Sequence, residues 1–245
     1  MKQDVSTPVQ LRGHPGQLST VLHLPQEALA YKATSRLASC SVNLQGVDVK
    51  WAGIREIDSA SPGLSVLRIK LPVSTPPGAY KGTVQVGDNE VPIVVDVEPR
   101  PRVRLFPRSL KASVKPGAVV NANFTVLNTG NATVAIEKEY RFCVFERGGI
   151  DRAFYVALAS DQATSDRRID RLVNELAVSH GGRVRLEIES GAGELAPGEA
   201  RDLRVALRLS DRLRPGQTYS GTWKIENTGV SIGLLVTGKI QEEAK

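Results

Sequence analysis

The residue types that most often carry catalysis or bind metal ions are few and scattered in this chain. Its three histidines, His14, His23 and His180, stand far apart, and none has a second ligand at the short spacing typical of a metal site. Neither Cys40 nor Cys143 has a basic neighbour at a motif spacing that would lower a thiol pKa. A Gly-x-Ser-x-Gly elbow and a phosphate-binding loop are also missing. We therefore expect no enzyme activity, no metal ion and no cofactor.

Basic residues are the second group that could carry chemistry. The formal net charge is +6, and the whole excess follows residue 98, because acidic and basic residues balance before it. On an extended segment, Arg100, Arg102 and Arg104 would share one face. The basic stripe is completed by the residues that follow: Arg108, Lys111 and Lys115.

Two interpretations of the basic stripe remain open. Its charges could keep a solvated strand edge from pairing with other chains, or they could dock an acidic partner, an anionic polymer or a terminal carboxylate. We expect no nucleic-acid partner, since no aromatic residues are interleaved with the stripe and no nucleic-acid-binding motif occurs.

A repeat indicates the elements that position these residues. The segment Pro77–Val86 returns about 138 positions later as Pro215–Ile225, with one inserted residue. In each copy an alternating strand comes before the Pro-Gly turn, and an apolar strand follows the Tyr-x-Gly-Thr motif. This order matches the last three strands of an immunoglobulin-like sandwich. The sequence thus predicts an all-β protein of two tandem immunoglobulin-like β-sandwich domains, the second with an inserted amphipathic helix.

The predicted domains span residues 1–99 and 100–245, because Pro99-Arg100-Pro101 interrupts strand pairing and stiffens the connection. Trp51 is predicted to be a core tryptophan of the first domain. Cys40 and Cys143 lie in different domains, so we expect both to be buried free thiols. Seven strands are predicted in the first domain, near Val9–Arg12, Leu18–Leu24, Ala38–Leu44, Val47–Ile54, Ser65–Leu71, Tyr80–Val86 and Val91–Val97.

An insertion at about residues 147–182 interrupts the second domain. One amphipathic helix is predicted within it, between candidate caps at residues 164–166 and a stop at His180-Gly181-Gly182. Apolar residues recur at helical spacing, namely Ile169, Leu172, Val173, Leu176 and Ala177. The polar side carries Arg167, Arg168, Arg171 and Glu175.

Two compatible interpretations of this insertion stand. Its apolar stripe could cover an open end of its own sandwich. Alternatively, the insertion, together with Phe154, Tyr155 and Val156, could form a partner surface, since long excursions on a rigid scaffold are often functional.

The second domain contains a turn-and-strand phrase with a family resemblance. Residues Val114–Ile136 pass from a Lys-Pro-Gly turn through an alternating strand to Asn128-Thr129-Gly130-Asn131, and a later turn spans Leu195–Glu199. Both segments resemble bacterial and archaeal immunoglobulin-like modules of the cell-adhesion-related (CARDB) type. The resemblance implies the fold and use as extracytoplasmic spacers, adhesive modules or assembly platforms, and it implies no catalytic residues.

A second resemblance is to two-domain periplasmic pilus-assembly chaperones, which are basic proteins of similar size. The segment Arg104–Arg108 stands about where their second domain begins. Those chaperones bind a terminal carboxylate with a basic pair between their domains. The positional counterparts here would be Arg12 and either Lys111 or Lys115.

The sequence as a whole predicts a non-enzymatic structural or adaptor protein that binds a protein partner within a larger assembly of the cell envelope. Sheet edges, the basic stripe and the insertion are its candidate docking surfaces. The alternatives are a periplasmic chaperone for surface-fibre subunits and a carbohydrate-binding accessory module. The candidate partner-binding residues are Arg100, Arg102, Arg104, Arg108, Lys111, Arg167, Arg168 and Arg171.

No run of about 18 apolar residues occurs, so we expect no membrane span. We favour a periplasmic or extracellular location for a mature form, and a cytoplasmic location stays open because the start lacks a signal peptide. Assembly into a polymer or homo-oligomer also stays open.

Overall fold

Strands dominate the computed structural model, which describes residues 8–16, 18–23, 38–56, 64–86, 89–159 and 165–237. The chain divides into two compact units. Unit 1 comprises the described residues of Met1–Arg102 together with Thr129–Thr133. Unit 2 comprises Val103–Asn128 and the described residues of Val134–Lys245. Neither helix in the described part of the chain has the length and apolar character needed to span a bilayer.

Unit 1 contains two four-stranded sheets, β1-β8-β7-β4 and β2-β6-β5-β3. Their inward side chains form one buried apolar cluster, which makes the unit a sandwich. The strands are β1 (Val9–Gly13), β2 (Leu18–His23), β3 (Ala38–Ser39), β4 (Ser41–Leu44), β5 (Trp51–Glu56), β6 (Leu64–Lys70), β7 (Gly78–Val86) and β8 (Asn89–Val97).

Two strands of unit 1 differ from the sequence prediction. The expected strand Ala38–Leu44 splits at Cys40, because β3 pairs with β5 whereas β4 pairs with β7 in the other sheet. The prediction of Trp51 as a core residue is wrong, since 41% of its surface is exposed. Ala52 and Ile54 are buried on the same strand, and side chains along a strand alternate between faces, so the parity of β5 turns Trp51 to solvent.

Unit 2 contains an eight-stranded sheet, β10-β18-β17-β13-β14-β16-β11-β9, and a small pair, β12-β15. Inward residues from all parts of this sheet form one buried cluster, so the sheet folds over itself as a sandwich. The strands are β9 (Val103–Phe106), β10 (Ser109–Val114), β11 (Val119–Asn128), β12 (Val134–Ile136), β13 (Glu139–Glu146), β14 (His180–Ser190), β15 (Gly193–Leu195), β16 (Ala200–Arg208), β17 (Thr218–Ile225) and β18 (Thr228–Val236). The helices are α1 (Gly149–Leu158) and α2 (Ser165–Ser179).

Trp223, on β17, is the buried tryptophan of the described core. It is 1% exposed, and its ring makes edge-to-face contacts with Phe124 and Tyr140 at centroid distances of 5.2 Å and 5.6 Å. Such aromatic pairs add to the stabilisation from burial. The aromatic centre of unit 2 therefore lies on the strand that carries the second repeat.

The repeated segments occupy the same place in both units. In each, the Tyr-x-Gly-Thr strand (β7 or β17) pairs antiparallel with the last strand (β8 or β18), which pairs parallel with an early strand on its other side. The motif glycines explain part of the repetition. A Cβ atom at Gly82 would lie 2.0 Å from the Asn43 carbonyl oxygen, and one at Gly221 would lie 2.7 Å from that of Cys143. Glycine permits this close approach of the neighbouring strand.

The two segments that resemble CARDB-type modules meet at Asn128. Its backbone N–H donates to the Glu199 carbonyl at 3.0 Å, and its buried side-chain Nδ2 donates to the Leu195 carbonyl at 2.9 Å. These bonds tie the end of β11 to the turn before β16. The fold class is all-β, with two immunoglobulin-like β-sandwich units in tandem and a helical insertion in the second.

Candidate functional site

The insertion of unit 2 forms two helices: α2 confirms the predicted amphipathic helix, and a further helix was not predicted. The missed helix is α1, whose buried positions are Gly149, Ala153 and Ala157. These positions recur every four residues, as expected for one helix face, but their side chains are small. The helical spacing of Ile150, Phe154 and Leu158 is present in the sequence, but these large side chains do not lie on the buried face.

Large apolar side chains lie on the outer side of both helices. On α1, Ile150, Phe154 and Leu158 are exposed at a spacing of four residues, and 75% of Tyr155 is exposed. On α2, Ile169 and Val173 are exposed at the same spacing. We call these six side chains the apolar rows. Monomeric proteins seldom expose large apolar patches without a function, so this surface is the first candidate for binding.

The apolar stripe predicted for α2 is divided between two faces. Leu172 and Leu176 are half-buried and Ser179 is buried, whereas Ile169, Val173 and Ala177 are exposed. The helices contact each other more extensively than they contact β13 and β14. We call the pair the helical hairpin, and much of its apolar surface is left uncovered by the described residues.

A buried carboxylate lies at the base of the helical hairpin. Glu146, at the end of β13, is 6% exposed. Arg152 on α1 donates to its Oε1 at 2.5 Å and to its Oε2 at 3.1 Å, and Arg214 also donates to Oε2. Glu175 on α2 joins through Arg152 at 3.5 Å. This network connects both helices to the sheet and to the loop before β17.

The electrostatics of this network favour the charged form of Glu146. Burial raises the pKa of its carboxyl group, but the hydrogen bond from Arg152 and the charge of Arg214 outweigh burial and lower the pKa below its usual value. The carboxylate is therefore ionised at neutral pH and balanced by two guanidinium groups.

Glycines allow close packing where the chain enters and leaves the hairpin. A Cβ atom at Gly149 would lie 2.5 Å from the Ser179 Cβ, and one at Gly181 would lie 2.5 Å from the Tyr219 ring. From the sequence, Gly181 is predicted only to end a helix. The structure adds a second role, because a side chain at position 181 would collide with the Tyr219 ring.

The structure divides the basic stripe between the two units. Arg100 and Arg102 belong to unit 1, where the Arg100 N–H donates to the Asn131 Oδ1 at 2.6 Å. In unit 2, Arg104 lies on β9, and Arg108 and Lys111 are also exposed.

The basic residues of α2 lie in two settings. Arg167 and Arg171 are exposed one helical turn apart, whereas Arg168 is half-buried. Arg12, the proposed counterpart of a chaperone's carboxylate anchor, is already paired with Glu98 at 2.8 Å. An incoming carboxylate would have to compete with this ion pair.

Cysteine and histidine chemistry is weak in the described residues. Cys40 and Cys143 are free, as predicted, but half-buried instead of buried. Burial raises the pKa of Cys40 to about 11, against a smaller lowering by a backbone hydrogen bond, so this thiol is protonated at neutral pH. His180 packs edge-to-face on Phe145. Within the described ranges, no three His, Cys, Asp or Glu side chains cluster as a metal site.

No protein-family model and no curated protein sequence matches this chain. Similar solved structures include the Yersinia pseudotuberculosis adhesin InvE, at 13% identity and a TM-score of 0.26 over 93% of this chain and 57% of the adhesin. A Porphyromonas gingivalis W83 protein of unknown function matches at 10% identity and 0.26 over 95% and 98% of the two chains. Domains 4 and 5 of the S-layer protein SbsC match at 16% and 0.26 over 66% of each. At these values the likenesses carry no argument about function.

Proposed function

We propose that this protein is a non-enzymatic structural or adaptor protein that binds a protein partner through the helical hairpin. The observation that carries the proposal is the exposure of the apolar rows. Ile150, Phe154 and Leu158 share one side of α1, and the buried network around Glu146 supports the base of that helix. A binding surface benefits from such a fixed base, because less conformational entropy is lost when the partner binds.

The chemistry of the hairpin favours a protein partner with an apolar patch. Removing the exposed part of a large apolar side chain from water stabilises a complex by about 1 kcal/mol. Several such residues are needed to offset the entropy cost of association. Exposed Arg167 and Arg171 on α2 add charges that acidic groups of the partner would meet at the rim of the contact.

The setting that we propose is a larger assembly of the cell envelope, with the protein in the periplasm or outside the cell. This part of the proposal rests on the resemblance of Val114–Ile136 to cell-adhesion-related modules. The exposed residues Arg104, Arg108 and Lys111 are proposed as a secondary contact region.

Photocrosslinking at two exposed apolar positions tests the hairpin as the docking surface. A benzophenone amino acid replaces Tyr155 in one protein and Leu235 in the other, since Leu235 on β18 is 48% exposed and lies outside the insertion. Crosslinking in the native host should give a discrete adduct from position 155 that position 235 does not give.

A double substitution supplies the control for this experiment. Phe154→Ser with Leu158→Ser removes two members of the apolar rows and leaves the buried positions of α1 intact. Affinity for the partner should then fall about thirtyfold, because two apolar contacts are lost, and the adduct from position 155 should fall with it. Absence of any adduct at position 155, or an identical adduct at position 235, would contradict the proposed surface.

A further inference from the structure

Strand β11 has an open backbone edge along its first half. On one side it pairs with β16 from Val119 to Leu127. On the other side β9 covers only Thr125 to Asn128. Strand β9 ends at Phe106, and after Pro107 the chain leaves this edge and forms β10, which pairs with β18. Among the described residues, no strand covers Val119–Phe124 on this side.

The backbone groups that face this edge follow from the known bonds. The Asn128 N–H donates to Glu199, and the Ala118 carbonyl accepts from Leu209, both on the β16 side. Bonding direction alternates along an antiparallel strand. The N–H and C=O groups that point to the open edge therefore belong to three alternate residues, Val119, Asn121 and Asn123. No described strand pairs with these groups.

The side chains beside this edge suit an added strand. Val120 and Ala122 on β11 pack against the core of unit 2 but are only half-buried. An added strand would cover them with every second side chain. A groove of about 670 Å³ at the far end, lined in part by Phe106, Thr125 and Arg204, offers room for one more side chain.

Cations outnumber carboxylates around the edge, where Asp202 lines the groove and Asp211 lies beside the turn at Gly117. Arg108 follows β9, Lys115 precedes β11 in the turn that leads into it, and Arg204 faces outward across from Asn123. All three are exposed, and none pairs with a carboxylate in the described part of the chain. By contrast, Arg201 and Arg208 on β16 are paired with Glu199 and Glu187. The cations at the edge are thus available to an acidic partner.

We propose that the open edge of β11 is a strand-addition site for an extended acidic segment of a partner protein. The segment would run antiparallel to β11, in line with β9, with apolar residues facing inward and Asp or Glu facing outward. The inference rests on the proposed binding role of the protein but concerns a surface separate from the helical hairpin.

Short peptides with alternating residues test this site on the full chain. The probe is an octapeptide of alternating Glu and Val with an acetylated N-terminus and an amidated C-terminus. The control peptide has Lys in place of every Glu. We expect the Glu peptide to bind at least about tenfold more tightly, because its charges oppose those of Arg108, Lys115 and Arg204. Bound peptide should slow amide hydrogen exchange at Val119, Asn121 and Asn123, and not at Val120 and Ala122, whose N–H groups already bond to β16.

Two methylated peptides test the predicted pairing. In an antiparallel pair, residues that exchange hydrogen bonds point their side chains to the same face. The outward Glu residues should therefore supply the N–H groups that bond to Val119, Asn121 and Asn123. Methylating the Glu nitrogens should abolish binding, whereas methylating the Val nitrogens should preserve it. Equal effects of the two methylations, or equal binding of the Lys peptide, would overturn the proposal.

Protein variants provide the matching controls. Asn121→Pro removes one edge donor and should weaken binding about tenfold, whereas Asn121→Ser should not. If Asn121→Pro fails to fold, the methylated peptides still decide the question on the unaltered protein. Arg108→Glu with Lys115→Glu should weaken binding, and Lys50→Glu with Lys70→Glu, the same charge change in unit 1, should not.

Two further measurements distinguish the edge site from a homodimer interface and from the helical hairpin. Sedimentation tests whether the protein is a dimer. If it is, and if Asn121→Pro dissociates that dimer, the edge binds a second copy of this chain and the proposal of an acidic segment is overturned. The Phe154→Ser, Leu158→Ser variant should bind the Glu peptide unchanged, since its substitutions lie on α1. If this variant loses the crosslink from position 155 but still binds the Glu peptide, the edge site is supported independently of the helical hairpin. If the variant also loses peptide binding, the two surfaces are not separate.

Discussion

The last hairpins of the two units share a sequence motif but differ in what surrounds the motif tyrosine. In unit 1, Tyr80 is half-buried, and its hydroxyl donates to the Pro76 carbonyl at 2.8 Å. In unit 2, Tyr219 is fully buried, and its hydroxyl accepts the backbone N–H of Arg214 at 3.1 Å. Both tyrosines fasten the preceding turn to the strand.

In unit 2 this fastening extends to the insertion. Glu146 lies opposite Tyr219 in the β13–β17 ladder, and the Arg214 guanidinium binds Glu146. The turn held by Tyr219 thus supplies one of the two cations that hold the base of α1. The comparison indicates that one β-hairpin design can simply complete a sandwich, or can also serve as the foundation for an added helical element.

The largest difference between the hairpins is expected where Val84 of β7 corresponds to Trp223 of β17. Both side chains are buried, but Trp223→Ala removes far more volume and should cost about 4 kcal/mol, against about 2 kcal/mol for Val84→Ala. Hydrogen exchange read separately for peptides of each unit measures the two costs. Similar costs would show that the cores depend equally on this position.

Substitution of the motif glycines tests how tightly each hairpin packs on its neighbouring strand. Gly82→Ala should destabilise unit 1 by about 3 kcal/mol and Gly221→Ala should destabilise unit 2 by about 2 kcal/mol, because the added Cβ meets a backbone carbonyl in both. Denaturant unfolding measures both values. The control is Gly233→Ala on β18, where a Cβ would make only ordinary contacts at 3.7 Å or more, and this change should be nearly neutral.

Removing the charge at the base of the insertion tests the feature that distinguishes unit 2. Glu146→Gln should destabilise unit 2 by about 2 kcal/mol, since Arg152 and Arg214 lose an ionised acceptor but are exposed enough to recover water. Because folding lowers the pKa of Glu146, its stabilising effect is present above the unfolded-state pKa of about 4.3 and is lost as pH falls through the lower folded-state value.

The pH dependence of this effect gives a clear measurement. The difference in unfolding free energy between the natural protein and Glu146→Gln should be constant near neutral pH and should shrink below about pH 4. A difference that does not change with pH would show that the carboxylate charge is not what stabilises the base of the hairpin.

The smallest expected effect concerns the tyrosine hydroxyls. Tyr80→Phe removes an exposed hydrogen bond and should cost about 0.5 kcal/mol. Tyr219→Phe leaves a partly buried Arg214 N–H without its acceptor and should cost about 1.5 kcal/mol. Thermal unfolding of both variants measures the ranking, and the reverse order would mean that the Tyr219 bond does not support the turn.

The repeat predicted the paired hairpins because the Pro-Gly turn and the Tyr-x-Gly-Thr strand are local signals. Strand parity was less predictable, since nothing near Trp51 showed that β5 begins there and turns that side chain outward. Helix α1 was missed although Ile150, Phe154 and Leu158 recur at helical spacing, and the face that it buries carries only glycine and alanine. The bond between Glu146 and Arg214 joins residues 68 positions apart, so only the folded chain brings these groups together.

The short segment Thr129–Thr133 belongs to unit 1, although the chain on both sides of it belongs to unit 2. Its Asn131 amide donates to the carbonyls of Thr75 and Glu98. The polypeptide thus crosses between the units at residues 102–103, 128–129 and 133–134. A protease cut before Val103 would leave this segment on the fragment that carries unit 2. A recombinant protein ending at Arg102 would therefore lack the hydrogen bonds that Asn131 makes to Thr75 and Glu98.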